Sequence, residues 1–133
     1  MKLTIQTDGG ARGNPGPSGI GVVITDEKRT TIKEISEYIG KATNNQAEYI
    51  ALIRGLEEAK KLGAFEVSIV MDSELIIKQL KGEYKVRDAK LAVLFVKAWN
   101  MLQSFSSYSV KHVLRAKNKR ADELVNEAID QKI

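Results

Sequence analysis

The hydrophobic period of this chain changes in mid-sequence, and that change restricts its architecture more than any other feature. Between residues 3 and 39, "LTIQTD" (3–8), "GIGVVIT" (19–25) and "TIKEISEYI" (31–39) read as strands; the first alternates Leu3, Ile5 and Thr7 with Thr4, Gln6 and Asp8. Alternation is the pattern of a strand with one buried face. The joining segments, one rich in Gly and Pro and the other the polar "DEKRT", suit turns, so an antiparallel meander is expected. After "TNN" (43–45), where Asn44 or Asn45 offers an N-cap, the period becomes helical. Leu52, Leu56 and Ala59 fall on one line of "QAEYIALIRGLEEAKKLG", which stops at Gly63.

The remaining segments then follow. "EVSIVMD" (66–72) predicts a strand, "SELIIKQLKG" (73–82) a short helix and "DAKLAVLFVKAWNMLQSF" (88–105) a longer one, with Leu91, Leu94, Phe95, Ala98, Leu102 and Phe105 on one stripe. Trp99, on this apolar helix, is expected in the core. "YSVKHVL" (108–114) predicts the last strand and "RADELVNEAIDQKI" (120–133) the last helix. The order βββαβααβα calls for an α/β fold, a mixed sheet with helices on its faces, and such sheets collect ligands at the carboxyl ends of their strands. No repeat, linker or low-complexity tract interrupts the chain, so one domain spanning 1–133 is expected.

Charge and cysteine content narrow the function. The formal charge is +4, from 21 Lys and Arg against 17 Asp and Glu, which suits a polyanionic partner without requiring one. Its distribution is more telling: between Tyr108 and Arg120 stand Lys111, Arg115, Lys117, Lys119 and Arg120 with no acid among them. The absence of cysteine excludes disulfides, thiolate metal sites and a Cys nucleophile. No apolar run approaches the roughly 20 residues of a membrane span, and the amino end lacks the core of a signal peptide. A cytoplasmic protein without membrane association is the expectation.

Four carboxylates break local rules. Asp8 and Asp72 each close a predicted strand, where a sheet presents side chains to a shared site. Glu48 stands on the apolar line that continues through Leu52, Leu56 and Ala59, and core-facing carboxylates are rare unless paired or metal-bound. Asp122 opens the last helix behind the basic loop "RAKNKRA". Each alone has a plain structural explanation, as turn residue, snorkelling acid, strand-end cap or partner of the helix dipole. Together, like charges brought close must be protonated or neutralised. Hard oxygen donors favour Mg²⁺ or Mn²⁺, and a single histidine without cysteine disfavours zinc. A carboxylate cluster holding two divalent ions, beside a basic loop for a phosphate backbone, is the apparatus of phosphoryl displacement.

The motifs "TDGGARGNPGP", "TNNQAE", "MDSE" and "NKRADELV", in this order and spacing, resemble those of type I ribonuclease H over almost the whole chain. The resemblance implies the ribonuclease H-like fold, a five-stranded mixed sheet with its first three strands antiparallel, flanked by helices. It implies metal-dependent hydrolysis of the RNA strand of RNA/DNA hybrids, giving 5′-phosphate and 3′-hydroxyl ends, with two Mg²⁺ ions for which Mn²⁺ substitutes. By motif position Asp8, Glu48, Asp72 and Asp122 are the catalytic metal ligands. The first is implied to bridge both ions, Asp122 to complete the nucleophile-side ion, and Glu48 with Asp72 to hold the other. Asn14, Thr43, Asn44, Asn45, Gln46 and Asn118 match nucleic-acid contacts of the family, and Arg115, Lys117 and Lys119 of the basic loop join them. The Gly/Pro loop after Asp8 is then expected to be where backbone amides approach the substrate.

Two departures from the family pattern bear on mechanism. Where many bacterial members carry a loop histidine before the last aspartate, this chain has Arg115, which cannot shuttle protons near neutral pH. The only histidine, His112, falls within the last strand in phase with Val110 and Leu114 and is expected to be structural. The basic helix and loop that many members use as a substrate handle is absent from "KGEYKVRDAKL", where Lys81, Lys85, Arg87 and Lys90 offer a partial replacement. This leaves double-stranded RNA open as a second substrate of an expected monomer. The rival readings are a silent RNA-binding module on the same fold and a nuclease or resolvase acting on branched DNA or double-stranded RNA. Retention of four mutually repelling acids argues against the first, and "TNN" favours the hybrid over the second.

Overall fold

The computed structural model describes residues 1–132; Ile133, the last residue of the predicted final helix, lies outside them. The meander is formed by β1 (Lys2–Ala11), β2 (Gly16–Thr25) and β3 (Thr31–Ala42). It is followed by α1 (Asn44–Lys61), β4 (Glu66–Met71), α2 (Glu74–Leu80), α3 (Ala89–Gln103), β5 (Ser107–His112) and α4 (Lys119–Asp130), with a 3₁₀ turn at Arg115–Lys117. The sheet order is β3-β2-β1-β4-β5, with β4 parallel to β1 and β5 parallel to β4. The expected mixed sheet therefore forms, and β1 is its central strand.

Alternation sorts the side chains between two layers. Leu3 and Ile5 of β1, Val22 and Ile24 of β2, and Val67, Ile69 and Met71 of β4 are buried in one cluster with Leu52, Leu56 and Ala59 of α1. Side chains of this size each stabilise the fold by about 1.5–3 kcal/mol when buried, so the stripe on α1 fixes that helix to the sheet. Across the sheet, Val23 packs with Ala121 and Leu124 of α4. Arg120 donates two hydrogen bonds of 2.9 Å to Glu34 of β3, so this member of the basic run is committed within the protein.

The structure departs from the sequence reading at several points. Asp8 does not end β1: pairing continues through Gly9↔Ile20, Gly10↔Gly19 and Ala11↔Ser18, leaving only residues 12–15 for the turn. Gly9, which read as a loop former, instead admits a helix, since a Cβ there would stand 2.3 Å from the Ala47 carbonyl carbon of α1. A Cβ on Gly21 would stand 2.1 Å from the Ala121 carbonyl oxygen of α4. The N-cap of α1 is Thr43, not Asn44 or Asn45. Its Oγ1 accepts from the Gln46 amide at 3.1 Å while Gln46 Oε1 accepts from the Thr43 amide at 2.9 Å, a reciprocal capping box.

Further differences concern single side chains and boundaries. Trp99 is 41% exposed rather than in the core, because α3 carries more apolar surface than its contact with α1 covers; only Ala98 and Leu102 of that helix are buried. His112 is exposed at the end of β5, so it is not held in a core. The last strand stops there, and the chain turns through the 3₁₀ segment into α4.

Candidate active site

β4 pairs with β1 only as far as Val70 opposite Gln6. Beyond that level the two strands part, and the gap opens at Asp8 of β1 and Asp72 just after β4. The first turn of α1 brings Glu48 to the same place. Carboxylate oxygens of Asp8, Glu48 and Asp72 lie within 4.8 Å of one another. Glu48 is 8% exposed, and its Oε1 accepts a 2.9 Å hydrogen bond from the Gly9 amide, the residue whose missing side chain lets α1 approach. The line of apolar residues thus begins with a carboxylate because that turn faces the site rather than the core.

Burial and mutual repulsion dominate the electrostatics. Asp8 is pushed up from 3.8 to about 8, first by burial, then by the charge of Asp72 and by the hydrogen bond and charge of Asp122, with the Gly9 amide opposing. Glu48 is raised well above its ordinary value by burial, then by Asp8 and Asp72. Asp72 is raised chiefly by burial, and Arg115 opposes that rise. Among the described residues no cationic side chain pairs with Asp8 or Glu48. Buried, unpaired carboxylates with only oxygen donors suit a hard divalent cation, which would supply the missing positive charge.

Asp122 stands beside this group rather than inside it. Its Oδ1 is held by the Arg115 guanidinium at 3.3 Å, and it adds to the fields on Asp8 and Asp72. The cleft around them is lined by Asp8, Glu48, Asp72, Arg115, Asp122 and Asn44. Asn44 also borders a second concavity, which includes Asn14, Lys41, Thr43, Asn45 and Lys90. The two hollows adjoin at that residue.

The amide side chains of this region hold the backbone as well as line it. Asn14 Oδ1 accepts from the Asn44 amide at 3.0 Å, and Asn44 Oδ1 accepts from the Ala11 amide at 2.8 Å, which pins the 12–15 turn to the start of α1. Thr43 and Gln46 cap α1, with Gln46 beside them in the same concavity. Lys117 and Lys119 are exposed. Asn118 is different: its exposure is 0%, so it presents no surface to a ligand. Lys41 escaped the sequence reading, because a lone lysine at the end of an exposed strand carries no local signal; only the packing of β3 beside the start of α1 reveals its place.

A central parallel strand pair that parts around a nest of carboxylates, with α1 supplying Glu48 from one face and α4 setting Asp122 beside it from the other, defines an α/β protein of the ribonuclease H-like class. A family model described as reverse transcriptase-like matches residues 6–128. The RNase H1 of the archaeon Halobacterium salinarum superposes with a TM-score of 0.96 at 42% identity, covering 98% of this chain and 99% of that one. An RNase H1 isolated from compost, solved in complex with an RNA/DNA hybrid, superposes at 0.93 with 52% identity over 98% of each chain. A bifunctional protein of Mycobacterium tuberculosis is 46% identical over 98% of this chain, which spans only 36% of that relative's length. By these matches the chain belongs to the ribonuclease H family, in its type I branch.

Proposed function

We propose that this chain is a single-domain endonuclease that hydrolyses the RNA strand of RNA/DNA hybrids, leaving 5′-phosphate and 3′-hydroxyl ends. The observation that carries the reading is the set of three carboxylates within 4.8 Å, two of them buried and without a cationic partner. Asp8, Glu48, Asp72 and Asp122 are the ligands, and two Mg²⁺ ions, with Mn²⁺ able to substitute, are the cofactor. Divalent ions held there supply an activated water and neutralise the scissile phosphate, the two-ion form of phosphoryl displacement.

The chain's own groups do the rest. The Gly9 amide holds the Glu48 carboxylate in orientation. Arg115 is exposed and pairs with Asp122 at 3.3 Å at the rim of the cleft, where its guanidinium can also donate to a phosphate oxygen of the substrate. Asn14 and Asn44 use their oxygens on the backbone, so their Nδ2 groups are the donors left to offer a sugar or phosphate. Donors of that kind can meet the 2′-hydroxyl that distinguishes RNA from DNA. Lys117 and Lys119 add phosphate contacts outside the reacting centre. The nucleophile is water, so no covalent enzyme intermediate is needed.

One assay tests the reading. A labelled RNA/DNA hybrid, an RNA duplex and a DNA duplex are each incubated with Mg²⁺, Mn²⁺ or EDTA. Cleavage of the RNA strand of the hybrid in either metal and not in EDTA is expected. Cleavage persisting in EDTA, or binding of the hybrid without cleavage in any metal, would overturn the assignment.

A further inference from the structure

Asn118 occupies the N-cap position of α4, where asparagine normally bonds the amides of its own helix and stabilises it by about 1 kcal/mol. Here no side-chain cap bond forms. Instead Nδ2 donates to the Thr7 carbonyl oxygen at 2.8 Å, a partner 111 residues away. The residue is 0% exposed, and its Oδ1, like the Oγ1 of Thr7, has no partner among the described residues. A buried amide that forgoes its local bond and leaves one acceptor unmet is held for what the remaining bond does.

That bond lies where β4 has left β1. Past Gln6 the segment after β5 lies beside β1: the Gln6 side-chain Nε2 donates to the Lys117 carbonyl at 3.3 Å, and the backbone carbonyl of Thr7 accepts from Asn118 Nδ2. Asp8 is the following residue. In the other direction the Asn118 carbonyl accepts from the Asp122 amide at 3.2 Å and closes the first turn of α4. Two hydrogen bonds therefore join the backbones that carry Asp8 and Asp122. The packing of Ala121 on Gly21, the β2 partner of Asp8, sets how closely α4 lies on the sheet. It is not directional. The Asn118 bond fixes the rotation of that first turn about its own axis, and so the direction from which Asp122 enters the site.

We propose that Asn118 is a positioning residue, which sets the Asp122 carboxylate against Asp8 through the Thr7 carbonyl, and is not a nucleic-acid contact. This rests on the metal-dependent nuclease reading of the same site. Asn118→Ala and Asn118→Ser are compared with wild type in steady-state cleavage of the hybrid and in melting curves with EDTA and with Mg²⁺. The expected result for Asn118→Ala is a fall in kcat of about tenfold or more, the range seen when a group orienting a metal ligand is removed, with KM for the hybrid nearly unchanged. The rise in melting temperature produced by Mg²⁺ should shrink in parallel.

Coupling is read by adding Asp122→Asn. If Asn118 acts through Asp122, Asn118→Ala should leave the metal-induced rise of the Asp122→Asn protein unaltered, although it lowers the EDTA melting temperature in both backgrounds. Should Asn118→Ala fail to fold, Asn118→Ser, which keeps a donor hydroxyl and capping chemistry, is carried through the same cycle. A raised KM with kcat intact would return Asn118 to substrate binding. Equal reductions of the metal response in both backgrounds would reduce it to a general packing residue. A wild type that responds to Mg²⁺ in melting yet cleaves no hybrid would overturn the nuclease reading while leaving the positioning role to be decided by the melting cycle alone.

Discussion

Replacing Asp8 by asparagine should raise the stability of the metal-free protein at neutral pH, and the structure gives the size of the effect. The folded carboxyl titrates near 8 against 3.8 for the ordinary group. Between those values the folded chain keeps a proton that the unfolded chain has released, so stability falls as pH rises, by about 1.4 kcal/mol per pH unit. Below about pH 4 both states are protonated and the difference vanishes. Over the roughly three units from there to neutrality a single such group costs about 4 kcal/mol. Asparagine removes the charge but leaves a buried amide, whose own desolvation takes back about 1–3 kcal/mol. The net gain is about 1–3 kcal/mol, or a melting temperature higher by about 3–12 °C in a chain of this size. Melting curves in EDTA at pH 5, 6, 7 and 8 check this: wild type should lose stability across the series and Asp8→Asn should lose less. With metal the order changes, because wild type gains about 2.7 kcal/mol at a hundredfold excess over the dissociation constant and the variant gains less. Parallel pH dependences, or a variant that melts lower at pH 8 in EDTA, would show that Asp8 carries no repulsive penalty and that the acids do not form one site.

Other perturbations separate packing from chemistry. Gly9→Ala would drive a methyl group into the Ala47 backbone, 2.3 Å away, and should destabilise the protein by about 1–3 kcal/mol in urea denaturation while also loosening Glu48 and reducing cleavage. Changing Lys117 and Lys119 together to Ala should weaken hybrid binding and flatten its dependence on salt, by roughly 0.7–0.9 in logarithmic slope for each phosphate left without its lysine; an unchanged slope in a binding titration would remove them from the interface. His112→Ala should leave the pH–rate profile in its original shape, since the exposed ring at the end of β5 lies beside Asp72 without bonding it. Loss of a rate-controlling ionisation from that profile would instead make it a proton carrier.

The sequence by itself determined the order of the elements, because the switch from a two-residue to a helical period is local and each segment carries its own pattern. It also exposed Glu48, since a carboxylate on an apolar line is visible without knowing what the line packs against. What it could not determine was the meaning of residues whose role depends on a distant partner. Gly9 and Gly21 read as loop and strand glycines, yet their missing side chains answer to backbone atoms of α1 and α4. Asn118 read, by its motif, as a nucleic-acid contact and is enclosed, tied to Thr7 across 111 positions. Trp99 read as core because its helix is rich in apolar residues, whereas only one face of α3 found a neighbour. Arg120 read as part of a basic patch and is held by Glu34. Periodicity reports which face of an element is apolar; only the close approach of elements remote in the chain decides which polar groups are left facing one another, and the site of this protein is made of those.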